Sequence, residues 1–111
     1  MSNGKKPYLV YMTVPGREAA LRLARGLVER RLAAGVNVLP GAQSVYRWQG
    51  RVHEAEECLL LAQVSDAAFA DVQAFVRSGH PYQLPCVLAL PLADGLKPFL
   101  RWIERNSRPL A

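Results

Sequence analysis

Few side chains in this chain combine reactivity with close company. His53, Glu54, Glu56 and Glu57 follow one another in a stretch that reads as extended backbone. Strand alternation then places His53 and Glu57 on one face with Leu59, Leu61 and Gln63, and Glu54 and Glu56 on the other with Cys58 and Leu60. Glu57 stands nearest the apolar run, so its charge most needs a partner or an ion; Glu54 and Glu56 read as solvated. In the preceding stretch Ser44, Tyr46 and Trp48 alternate and share a face, a wall of rings with hydroxyl and indole donors suited to a ligand or to a neighbouring subunit. His80-Pro81-Tyr82 is a second cluster. The proline restricts the backbone before it and can fix the His80 imidazole for a metal or an anion, while a histidine just past a helix end also suits the helix dipole.

The same inventory excludes most catalytic chemistry. There is no Gly-x-Ser-x-Gly, no Gly-rich phosphate loop and no His-Glu-x-x-His. Cys58 and Cys86 are far apart and both lie in apolar runs, which argues against a zinc ribbon or thioredoxin-like pair and for buried, inert thiols. With two histidines and no closely spaced ligand pair, a preorganised structural zinc site is not expected. The residues point to a binding or assembly module rather than an enzyme.

Positioning these groups requires a small scaffold. The 111 residues, half of them hydrophobic, suffice for one domain and not for two. The net charge of +5 invites a nucleic-acid reading. The arginines, however, are spread over two helices (Arg17, Arg22, Arg25, Arg30 and Arg31; Arg101, Arg105 and Arg108), as solvated helix faces would have them. No apolar run approaches the roughly 20 residues of a membrane span, and the polar start is unlike a secretory signal, so a cytoplasmic protein is expected.

Residues 8–14 predict a first strand, apolar on both faces and therefore central, ended by Pro15-Gly16. An amphipathic helix follows over 18–32, ending at Gly35. Residues 36–64 predict a hairpin with arms about twice the usual length, turning at Gln49-Gly50 and kinked by Pro40-Gly41. Ser65-Asp66 offers the cap of a second helix over 67–77; a short edge strand over 86–92 and a last helix over 97–106, with Phe99, Leu100 and Ile103 inward, complete the order. Residues 1–7 and 107–111 are expected to be tails around a single domain spanning 8–106. The order βαββαβ plus a C-terminal helix predicts an α+β, ferredoxin-like sandwich with both crossover helices on one sheet face. The other face is bare, and the outer hairpin carries Val45, Tyr46, Trp48 and Val52. Such surface needs cover from outside the subunit, so an obligate oligomer is expected, with the functional cleft near the hairpin and the subunit boundaries.

Taken together, these residues resemble the CutA divalent-cation tolerance family. The resemblance rests on Thr13-Val14-Pro15, on Glu29-Arg30-Arg31-Leu32-Ala33-Ala34 before Gly35-Val36-Asn37, and on Leu39-Pro40-Gly41-Ala42 with Ser44-Val45-Tyr46-Arg47-Trp48-Gln49-Gly50. Glu57, Ser65, His80-Pro81-Tyr82 with Pro85, and Phe99-Leu100-Arg101-Trp102 extend it. The resemblance implies a PII-like homotrimer associated with tolerance to divalent metals, copper above all, that binds divalent cations without catalysis. It implies a ligand cleft at Tyr46, Trp48, Glu57, Gln63 and Tyr82, and metal-ligand candidates His80, Glu57, Cys86 and His53, whose nitrogen and sulfur donors favour copper or zinc. No cofactor is required by it. Five positions depart from the family's habit: Gly35 stands for a cysteine, Gln63 for a lysine, His53 for an acidic residue, Cys86 for a glutamate and Gly16 for an acidic helix-starter. A second expectation is a PII-like sensor or adaptor, taking a small anionic ligand or a protein partner at the intersubunit cleft. RNA binding is not expected, because the Lys/Arg-Gly-Phe-Gly-Phe pattern of RRM sheets is absent.

Overall fold

The computed structural model describes residues 6–109. Strand β1 (Tyr8–Val14) leads through Gly16, at φ 87°, into helix α1 (Arg17–Glu29). Strands β2 (Gly35–Trp48) and β3 (Arg51–Val64), fourteen residues each, form the long hairpin. A single 3-10 turn (Asp66–Ala68) precedes helix α2 (Phe69–Gly79), followed by strand β4 (Cys86–Pro91) and helix α3 (Lys97–Asn106). All pairings are antiparallel, in the order β2-β3-β1-β4, which puts β1 in the interior and β4 on the edge that Pro91 requires. This is the expected α+β, ferredoxin-like arrangement.

Two local features of the hairpin come from its turn chemistry. Gln49 and Gly50 take φ of 52° and 79°, the pair of left-handed residues that lets a two-residue turn follow the twist of its strands. At Pro40-Gly41 the pairing steps from Leu39 opposite Leu59 to Ala42 opposite Glu57, so one extra residue is inserted. That bulge changes which side chains share a face. Asn37 and Leu39 lie on the same side of the sheet as Ala42, Ser44, Tyr46 and Trp48, opposite the odd-numbered residues of β3.

The core forms where α1 and α2 cover one sheet face. Val10, Met12, Leu60, Ala62 and Val64 meet Ala20, Leu27, Val72 and Val76, all with no measurable exposure. The other face is open. Tyr11, Leu39, Leu88 and Leu90 stay exposed on it, and Val45 and Val52 are 66% and 61% exposed on the outer hairpin. The molecule is accordingly elongated, 45 × 26 × 22 Å.

Three local features differ from the sequence expectation. Helix α1 ends at Glu29 rather than 32, because Arg31 adopts φ 61° and closes it. Leu32 N–H donates to the Leu27 carbonyl and Arg31 N–H to that of Val28, a Schellman closure with arginine where glycine is usual. The Arg31 guanidinium then donates to the Arg105 and Arg108 carbonyls, joining the end of α1 to the end of α3. Phe99, expected inward, is 47% exposed and stacks on Trp102 at 5.0 Å, leaving Ile103 as the buried anchor of α3. Ser107, assigned to a tail, is fully buried: its hydroxyl donates to the Leu32 carbonyl at 2.7 Å and accepts from Ser65 N–H at 2.8 Å. The tail expected over 1–7 falls mostly outside the described residues.

Candidate functional site

The open face deepens into a cleft of about 700 Å³ where the outer hairpin meets the loop before β4. Register builds one wall: Ala42 lies opposite Glu57, Ser44 opposite Ala55 and Tyr46 opposite His53. Because of the bulge, Tyr46 and Trp48 point to the Glu57 side of the sheet; with regular pairing throughout they would face the opposite way. Tyr46 and His53 stack, ring centroids 5.5 Å apart and nearly parallel. Tyr11 and Thr13 of β1 form the floor, and Tyr82, Leu84 and Cys86 form the far wall.

Glu57 is the polar centre. It is only 5% exposed, yet borders the cleft, and its Oε2 accepts from the Tyr82 hydroxyl at 2.8 Å. Burial first, then the Glu57 hydrogen bond and its charge, push the Tyr82 phenol up to about 12, so it remains a donor across the neutral range. Burial also raises the Cys86 thiol, with Glu57 adding to the effect and Thr13 hydrogen bonds opposing it. A protonated thiol is a poor metal ligand until its proton is removed. Among the described residues the lining of the cleft contains no lysine or arginine, so an anion would meet Glu57 without a countercharge from them.

His80 takes a different part from the one its sequence context suggests. Its Nε2 lies 2.9 Å from the Thr13 carbonyl, and its Nδ1 accepts from Tyr82 N–H at 3.0 Å. A carbonyl can only accept, so Nε2 must carry the proton, and both ring nitrogens are engaged. His80 thus clamps the loop to β1 and sets Tyr82 over Glu57, rather than offering a free nitrogen to an ion. Gln63 also stands apart from the cleft: it lies opposite Gly35 and reaches Asn37 at 3.4 Å.

Of the expected residues, the structure therefore brings together Tyr46, Trp48, Glu57, Tyr82, His53 and Cys86. Among the described residues no three His, Cys, Asp or Glu side chains converge closely enough to hold a metal. Sequence reasoning missed Tyr11, Thr13 and Leu84; the β1 residues are recognisable only once the pairing of Thr13 with both Leu59 and Cys86 is known.

A profile of the CutA1 divalent ion tolerance protein matches residues 8–106. The chain is 46% identical over 99 residues to the divalent-cation tolerance protein CutA of Thermus thermophilus, a match covering 89% of this chain and 96% of that protein. It is 39% identical over 100 residues to the chloroplastic CutA of Arabidopsis thaliana, covering 90% of this chain but only 55% of that longer relative. Among solved structures, that of the Thermus thermophilus divalent cation tolerance protein superposes with a TM-score of 0.90 at 44% identity, covering 92% of this chain and 99% of that one. The periplasmic divalent cation tolerance protein CutA of Archaeoglobus fulgidus gives 0.88 at 36% identity, with coverage of 92% and 99%. Since the match runs from the first strand to the end of the last helix, the chain belongs to the CutA1 divalent ion tolerance family.

Proposed function

We propose that three copies of the chain assemble into a PII-like homotrimer that binds divalent cations, copper or zinc, at its subunit boundaries and acts by binding rather than by catalysis. One observation carries the assembly: a sheet whose open face leaves Tyr11, Leu39, Leu88 and Leu90 exposed, beside a fourteen-residue hairpin whose Val45 and Val52 are uncovered. Apolar surface so arranged finds its cover in further copies of the same chain. The ion would draw on Glu57, Cys86 and His53, the candidate ligands that border the cleft, and since one subunit brings no three donors together, donors from a second subunit would complete the set. His80 supports this site by holding Tyr82 in place. Free thiols at Cys58 and Cys86 suit a reducing, cytoplasmic setting.

Two measurements test the proposal. Sedimentation equilibrium from micromolar to nanomolar concentration should report three times the subunit mass; a folded monomer at micromolar concentration rejects the assembly. Calorimetric titration with copper and zinc should show binding that weakens at least tenfold in Glu57→Gln. Equal binding by wild type and variant would remove Glu57 from the ion site.

A further inference from the structure

The helix layer carries a groove of its own, on the side of the sheet away from the Glu57 cleft. It runs between α1 and α2, encloses about 720 Å³, and is bordered by Arg22, Gly26 and Arg30 of α1 and by Phe75 and Gly79 of α2. The proposed assembly uses the opposite sheet face, which leaves this groove to solvent. Two glycines give it depth. At Gly26 a Cβ would come within 2.6 Å of the Phe75 ring, so the missing side chain is what lets the ring lie on the helix. At Gly79 a Cβ would meet nothing within 4 Å, so that end stands open. The Arg30 guanidinium lies 4.6 Å from the centre of the Phe75 ring, which holds it at the groove wall.

We propose that this groove docks an extended acidic peptide segment of a partner protein, with Arg30 and Arg22 each taking one carboxylate and the Phe75 ring giving apolar contact between them. Charge and spacing carry the argument. Arg22, Gly26 and Arg30 step by four along the helix row that meets Phe75, while Glu18, Arg25 and Glu29 fall on the row beyond it. On that outer row Arg25 has Glu29 four residues on, and Glu18 stands four before Arg22 and offsets part of its charge. Arg30 has Gly26 and Leu27 at those spacings instead, so it is the stronger anchor. Eight residues of helix separate the two arginines by about 12 Å along the axis, a span that suits two anionic groups rather than one small anion. An extended peptide rises about 3.3 Å per residue and returns to the same face every second residue, so acidic side chains at i and i+4 lie about 13 Å apart on one side of it. The chain's net charge of +5 favours the encounter with an acidic partner.

The test titrates the full chain in its native assembly with the end-blocked pentapeptide Glu-Val-Ala-Val-Glu and follows the NMR shifts of the Gly26 and Gly79 amides. Gln-Val-Ala-Val-Gln is the neutral control, Glu-Glu-Val-Ala-Val the control of equal charge and different spacing, and oligouridylate the nucleic-acid control. The probe should move both glycine amides saturably. It should bind at least about fourfold more tightly than the neutral peptide and about twofold more tightly than the respaced one, as two exposed ion pairs allow. Arg30→Gln should weaken it about two- to fivefold and Arg22→Gln by less, the range of a single exposed pair. Gly79→Leu, at a position outside the left-handed region with open space around a Cβ, should block the groove and abolish the saturable shifts. Equal binding of the neutral peptide overturns the inference. So does probe binding that is unchanged in the Arg22→Gln/Arg30→Gln double variant or in Gly79→Leu. Tighter binding of the respaced peptide or of oligouridylate at the same amides overturns it as well, since the groove would then attract anions without reading a peptide's spacing.

Discussion

On the helix-covered side of the sheet Val10, Met12, Leu60, Ala62 and Val64 are fully buried, whereas on the opposite side of the same sheet Leu88 and Leu90 remain 58% and 49% exposed. Both sides are apolar. Covalent neighbours on β3, such as Leu60 and Leu61, thus experience different environments because successive side chains point to opposite faces. The covered face holds the core of the subunit, whereas the open face presents aliphatic residues in its inner part and, beyond the bulge, a cleft bordered by Tyr46, Trp48, Glu57 and Tyr82. An apolar strand pattern alone does not say which of these roles a face has.

Substitutions placed on the two faces sharpen that contrast. The largest effect is expected at Leu60→Ala, which empties a fully buried position and should cost about 2–5 kcal/mol in denaturant unfolding. Its counterpart Leu88→Ala should cost under about 0.5 kcal/mol if the face meets only water. A cost that approaches the Leu60→Ala value and grows with protein dilution would show the open face to be a subunit interface. Ser107→Ala should follow, at about 1–3 kcal/mol, because it leaves the Ser65 N–H and the Leu32 carbonyl buried and without their partner.

The pH response separates the faces as well. Tyr82 is raised from 10.0 to about 12 in the folded protein, so its contribution to stability is complete below pH 10 and is lost as pH rises from 10 towards 12. Tyr82→Phe should abolish that part of the alkaline decline, and difference absorbance near 295 nm should show one phenol titrating late. A phenol ionising near pH 10 would mean that Glu57 and Tyr82 are not paired in solution. The smallest contrast pairs two glycines. A Cβ at Gly26 would come within 2.6 Å of the Phe75 ring between α1 and α2, whereas at Gly35 it would come within 2.7 Å of Gln63 Oε1, the movable end of a flexible chain. Gly26→Ala should therefore cost about 1–3 kcal/mol and Gly35→Ala less than about 1 kcal/mol by thermal unfolding.

Much of this architecture is legible in local chemistry. Pro15-Gly16, Pro40-Gly41, Gln49-Gly50 and Ser65-Asp66 mark the element ends, and apolar spacing separates helices from strands, because turns and amphipathic faces are properties of adjacent residues. The end of α1 was hidden, since Arg31 enters the left-handed region without the glycine or asparagine that usually announces it. Ser107 was hidden too, as its partners Leu32 and Ser65 are distant in the chain.

The sequence by itself determined the element order, the oversized hairpin and the family, along with the pool of residues from which a site is built. Tertiary structure alone decided how that pool divides. It engaged both ring nitrogens of His80 in hydrogen bonds, set Gln63 apart from the cleft, and joined Glu57 to Tyr82 and the β1 floor. The physical reason is that hydrogen bonds and burial are set by strand register and by one bulge, which bring together residues that no sequence spacing relates.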